Sequence, residues 1–141
     1  MKKTENEMVV AIPEMELKVD YEQFENLIVT ALEGGIDYWG DFPTSVILEI
    51  REWSEKNNLK FEPFSIRFAK YIWSGNSVSV IDIEEIDDEI IGNLNLETIT
   101  VGWQLFANHE EHFQNFLDDQ WDATTADVWF QCCSLGDVVY G

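Results

Sequence analysis

An α+β fold is the class this sequence predicts: a small antiparallel β-sheet packed against four or five α-helices, in one domain over 8–141 behind a disordered N-terminus at 1–7. Three observations carry the expectation. Residues 14–20 alternate with a period of two, as a half-buried strand does. Several later stretches carry apolar residues at helical spacing. Apolar residues make up 45% of the 141, with six Trp, nine Phe and four Tyr, enough for a sizeable core.

Residues 1–7 are polar, and the apolar run Met8–Ile12 ends at Pro13. Met15, Leu17 and Val19 then face one way, and Glu14, Glu16 and Lys18 the other. Asp20 can cap a helix over 21–33, whose stripe is Phe24, Leu27, Ile28, Ala31 and Leu32. Gly34 and Gly35 stop it, because glycine takes the left-handed cap conformation. Ile36–Phe42 is a compact aromatic connection. Pro43 suits the first turn of a second helix, with Val46, Ile47, Ile50 and Trp53 inward and Asn57-Asn58 at its end. Leu59–Trp73 reads either as a strand or as a helix; Pro63 at the start, the Phe61, Phe64, Phe68, Ile72 stripe and Gly75-Asn76 at the end favour the helix.

Ser77–Ile83 is a strand by its β-branched content. Val78 and Val80 share parity with Asp82 and Glu84, so a bulge or a sheet edge is expected near Ile81. Glu84–Gly92 is an acidic loop or hairpin arm. Leu94–Ala107 is helical, and Gly102 within it implies close packing. His109–Gln120 is a short helix burying Phe113, Phe116 and Leu117. Asp122 or Thr124 caps a last helix with Val128, Trp129, Cys132 and Leu135 inward. Gly136 ends that helix, and Val138–Tyr140 can add an edge strand. The sheet is expected from 8–19, 77–90 and 137–140.

Charge divides the chain unequally. The formal net charge is −20. Residues 1–70 hold all eight Lys and Arg and fourteen carboxylates; residues 71–141 hold the other fourteen carboxylates and no Lys or Arg. Disordered acidic chains lack aromatics, and this one is rich in them. Such charge disfavours direct contact with nucleic acid or with an anionic membrane, because both would repel it. It favours solubility or a cationic partner. The only cysteines, Cys132 and Cys133, are adjacent, which points to a reducing, intracellular setting without a disulfide framework. No signal-peptide run opens the chain, and no stretch approaches a membrane span.

The densest acidic cluster is Asp82, Glu84, Glu85, Asp87, Asp88 and Glu89. A calcium loop begun at Asp87 has Gly92 in sixth place, but Ile91 in fifth and Thr98 in twelfth do not fit. A solvated loop is one reading. The other is a charged binding face, because residues two apart on a strand lie roughly 6.6 Å apart, a spacing akin to that of phosphates. Glu111, Asp118 and Asp122 add a second row if their helix continues. His109 and His112 are three apart with Glu110 and Glu111 between, which does not match the zinc-protease pattern. Cys132 and Cys133 have no basic neighbour to activate a thiol. No phosphate loop and no nucleophile elbow is present. The aromatics Tyr38, Trp39, Trp73 and Trp121 belong to a core more readily than to a stacking platform.

Ala31-Leu32-Glu33-Gly34-Gly35-Ile36-Asp37-Tyr38-Trp39 resembles the opening of a family of small acidic phage and prophage proteins. Asp122-Ala123-Thr124-Thr125-Ala126-Asp127-Val128, then Gln131, then Gly136-Asp137-Val138-Val139-Tyr140-Gly141, is similar to that family's C-terminus. The resemblance implies a phage-borne inhibitor of bacterial defence, such as an anti-CRISPR protein directed at Cas9.

These readings converge on an interaction protein in the host cytoplasm, neither an enzyme nor a holder of metal or cofactor. It would act as a polyanion, a DNA mimic, toward a positively charged host protein such as a defence nuclease. The partner-binding residues would be Asp82, Glu84, Glu85, Asp87, Asp88, Glu89, Glu110, Glu111, Asp118, Asp119 and Asp122. The alternative is a module that sequesters a small molecule or nucleotide in an aromatic pocket near Trp39. Monomer and homodimer are both open.

Overall fold

The computed structural model describes residues 1–84 and 87–141. Among them, two three-stranded antiparallel sheets and six α-helices form the α+β fold that the sequence predicts. The first sheet holds β1 (Lys2–Lys3), β2 (Glu7–Ile12) and β3 (Met15–Asp20), in that order. Met8, Val10, Ile12, Leu17 and Val19 form its buried face. Met15, expected with them, is exposed beside the Pro13-Glu14 turn, where Glu14 takes a left-handed φ of 74°. The expectation of a disordered terminus does not hold at Lys2 and Lys3, which pair with Val9 and Met8. Trp73 explains it: its Nε1 donates to the Glu5 carbonyl at 3.1 Å, and the Lys3 ammonium lies 5.0 Å over its ring.

Asp20 caps α1 (Tyr21–Thr30) in a reciprocal box with Gln23, and Phe24, Leu27 and Ile28 are buried. The chain does not break at the glycine pair. It widens into a π turn, Ala31–Gly35, closed by Ile36 N–H donating to the Ala31 carbonyl at 2.9 Å. Pro43 precedes α2 (Thr44–Lys56), and Pro63 precedes α3 (Phe64–Trp73). Helix wins over strand at 64–73 because Phe68, Ala69, Ile72 and Trp73 then share one buried side, packed on α1.

The second sheet runs β4 (Gly40–Asp41), β5 (Val78–Asp82), β6 (Ile90–Leu94). The β5–β6 register slips between Val80 and Ile81, where the side-chain parity calls for a bulge. The expected single sheet is therefore two, because each hairpin pairs within itself. Residues 137–140 form no strand: the N–H groups of Val139 and Tyr140 go to a side chain, Gln131 Oε1, at 2.8 and 2.9 Å.

Asn95 caps α4 (Leu96–Phe106); α5 (Glu110–Leu117) follows, and α6 (Ala123–Leu135) is capped by Asp122 and closed by Gly136 at φ 74°. Every residue of α6 from Thr125 to Ser134 is buried, not one stripe alone. It packs against α1, α4, α5, β6 and the π turn. A Cβ on Gly102 would collide with Cys133, so α4 and α6 approach at backbone distance there. Both cysteines are consequently interior and free. No helix among the described residues is long and apolar enough to cross a membrane.

Candidate interaction surface and the Asp127 knot

The two stretches 31–39 and 122–141 meet at Asp127. On a helix with no solvent face, this is the only carboxylate among the described residues that is buried. A buried carboxylate must have its oxygens satisfied. The turn that follows the π turn supplies two donors, Tyr38 Oη at 2.7 Å to Oδ2 and Trp39 Nε1 at 2.8 Å to Oδ1. Gln131, one helical turn along, donates Nε2 to Oδ1 at 2.9 Å. Its carbonyl oxygen accepts the tail N–H groups described above. Tyr140 is thereby laid flat on Trp39, with ring centres 4.7 Å apart and planes 8° apart. The Tyr140 hydroxyl continues to Asp82 Oδ2 at 2.7 Å.

Gly35 lets the two segments pack tightly at this junction. A Cβ there would lie 3.0 Å from the Ala123 carbonyl oxygen and 3.3 Å from the Asp127 nitrogen. Tyr38 is half-exposed, yet its phenol is pushed up to about 12, first by desolvation and then by the Asp127 hydrogen bond and charge. The Tyr140 phenol is raised chiefly by its hydrogen bond to Asp82. A groove of about 400 Å³ opens over the knot between Tyr38, His112, Thr124, Tyr140 and Gly141. Trp39 itself is 2% exposed, with its N–H spent and its face covered by Tyr140. The ring therefore offers no stacking platform to a nucleotide.

The expected partner-binding carboxylates are placed as follows. Asp82 ends β5 half-buried, and both its oxygens are engaged: Oδ1 accepts Glu84 N–H at 2.8 Å and Oδ2 accepts Tyr140. The Glu84 N–H, then the Tyr140 hydroxyl, hold its carboxyl below the usual range. Glu84, Asp87, Asp88 and Glu89 are exposed on the β5–β6 connection, and Glu85 lies outside the described residues. Because β5 stops at Asp82, the phosphate-like row along a strand is not formed among the described residues: Glu84 lies in a turn, and Asp87, Asp88 and Glu89 lie in irregular chain before β6. Glu110 and Glu111 occupy the first turn of α5, where the helix dipole favours negative charge. The second row is interrupted as well. The helix ends at Leu117, and Asp119 reverses the chain at φ 55°. Asp118 and Asp119 are exposed, and Asp118 accepts Gln114 Nε2 at 3.1 Å. Asp122 Oδ1 accepts Thr124 and Thr125 N–H at 3.0 and 3.2 Å as the α6 cap.

His112 Nδ1 lies 3.0 Å from Thr125 Oγ1, tying α5 to α6. No group of three or more His, Cys, Asp or Glu among the described residues is placed to hold a metal. Burial, with Asp137 adding to it, pushes the Cys132 thiol up to about 11; burial pushes Cys133 up too. Neither is an activated nucleophile. Charge patterning alone does not separate Asp127 from its neighbours. The available signal is Asp127 and Gln131 four apart on a helix whose other residues are apolar apart from small hydroxyl side chains. No protein-family model, no curated protein and no solved structure matches the chain.

Proposed function

We propose that this is an acidic interaction protein that offers its C-terminal half to a cationic groove on a host protein that handles nucleic acid. One observation carries the reading. Of the thirteen carboxylates after Lys70 among the described residues, eleven are exposed, and no Lys or Arg lies among them in sequence. An aqueous surface of one sign steers an oppositely charged partner and raises its association rate. The residues that act are Glu84, Asp87, Asp88 and Glu89 on the β5–β6 connection, with Glu110, Glu111, Asp118 and Asp119 beside them in the chain's acidic half. Asp82 and Asp122 serve by holding the scaffold. The resemblance of 31–39, 122–128 and 136–141 to phage and prophage proteins supports a bacterial defence nuclease as the partner, with the protein acting as its inhibitor in the host cytoplasm. The reading requires neither catalysis nor a cofactor.

The test is association with a purified RNA-guided CRISPR nuclease, followed by stopped flow from low to high salt. Glu84→Gln, Asp87→Asn, Asp88→Asn and Glu89→Gln together are expected to slow association and flatten its salt dependence. Equal rates for parent and variant at both ends of the salt range would reject the reading.

A further inference from the structure

We propose that the outer edge of β6 is a strand-addition site, taking an extended partner segment that alternates basic and apolar residues. This rests on the reading of a cationic partner and names the segment that partner would use. β6 is the terminal strand of its sheet and pairs with β5 alone. In an antiparallel ladder every second residue points its N–H and C=O away from its neighbour. Natural sheets blunt such edges with Lys, Pro or other charge. Ile90-Ile91-Gly92-Asn93-Leu94 carries none of these, and its one irregularity, the bulge at Ile91, leaves Gly92 to Leu94 regular.

Beside this edge lies a groove of about 360 Å³ lined by Asn93, Thr98, Val101, Cys132 and Leu135, among others. Val101 is half-exposed, as is Ile90 at the start of the strand. Gly92 brings the strand down onto the end of α6, because a Cβ there would meet the Ser134 carbonyl. An added strand would place alternate side chains toward and away from the groove, one apolar group filling it.

The rim sets the sign of the partner. Glu97 lines the groove, Glu89 precedes the strand, and the exposed Asp137 follows Gly136, another residue of the groove lining. A second copy joined edge to edge would bring these carboxylates together on a chain of net charge −20, so the occupant is a basic segment and not this chain.

The probe is the blocked hexapeptide Lys-Val-Lys-Val-Lys-Val, titrated into isotope-labelled protein and read by amide resonances. Two further peptides carry N-methyl groups on the lysines only or on the valines only. The expected result is shifts at 91–94 and 97–101, with one methylated peptide binding at least about tenfold more weakly and the other like the parent. Glu97→Gln with Glu89→Gln should weaken the parent peptide severalfold without changing that difference. Equal binding of both methylated peptides, shifts confined to 84 and 87–89, concentration-dependent dimerisation through β6, or no binding at about 1 mM would each overturn the proposal. Failure of the cationic-partner reading shows instead in the nuclease rates of the fourfold variant, which the methylated peptides do not measure.

Discussion

Two regions of this molecule hold carboxylates under opposite conditions. At the knot, Asp127 is buried on α6 and takes three hydrogen bonds from Tyr38, Trp39 and Gln131. On the β5–β6 connection, Glu84, Asp87, Asp88 and Glu89 are exposed. The same functional group does different work in each. Charge buried and fully hydrogen-bonded fixes a conformation, because leaving any donor stranded is costly. Charge on a surface contributes little to the fold and much to a long-range field. Asp82 lies between the two: it caps the end of β5 and anchors Tyr140, so it belongs with the knot despite its place in the acidic run.

The largest expected effects come from breaking the knot. Asp127→Ala strands the donors of Trp39 and Gln131 and frees the tail that Gln131 holds. A loss on the order of 3–5 kcal/mol is expected in urea unfolding, from about 1–3 kcal/mol per stranded buried donor. Trp39→Ala should cost roughly 3–5 kcal/mol by cavity formation. A near-native midpoint for either variant would mean that the tail is held by something else. Gly102→Ala comes next. Its new methyl meets Cys133, where helix backbones touch, so about 1–3 kcal/mol should be lost although alanine is the better helix former.

The knot should also give the fold an alkaline limit. Tyr38 and Tyr140 have phenols raised above the ordinary value of about 10. A raised folded-state value means that their contribution is fully present below pH ~10 and is lost as pH climbs through the folded value, about 12 for Tyr38. Asp82 works in the other direction: its lowered carboxyl contributes above the ordinary carboxylate range and is lost as acid titrates it. Tyr38→Phe with Tyr140→Phe should therefore lower stability at neutral pH but reduce its slope between pH ~10 and 12. An unchanged slope in alkaline denaturation would count against the two phenols as its source.

Much of the fold is legible in the sequence because local rules and tertiary packing agree there. The Asp20 cap, the Pro43 and Pro63 helix starts, the bulge near Ile81 and the close approach at Gly102 are all found. The misses have tertiary causes. Lys2-Lys3 pairs with β2 as a strand, and Trp73, far along the chain, holds the segment in place. Residues 138–140 look β-forming, but Gln131 takes the N–H groups that a strand would use. The acidic face is visible as composition, whereas its geometry is not. A period of two past Asp82 would have made a row of charges, but the strand ends there and Glu84 turns back onto Asp82. The knot was hidden because its members lie 88 and 89 residues apart in sequence.

The smallest effect is expected on the exposed side of the comparison, and it is the one that separates the two regions most cleanly. Glu84, Asp87, Asp88 and Glu89 are close in sequence on a chain of net charge −20, so each ionised group raises the energy of the others. Neutralising all four as Gln, Asn, Asn and Gln keeps their shapes, and Asn at 88 tolerates the left-handed φ of 53° found there. The melting temperature should stay level or rise by up to about 3 °C at low salt. The difference from the parent should shrink as added salt screens the repulsion, the Debye length falling from about 30 Å at 0.01 M to about 10 Å at 0.1 M. A drop in melting temperature at every salt concentration would place these carboxylates with Asp127, as groups the fold depends on. A gain that vanishes with salt would show that repulsion among these four charges is what the substitutions relieve, in contrast to the charge of Asp127.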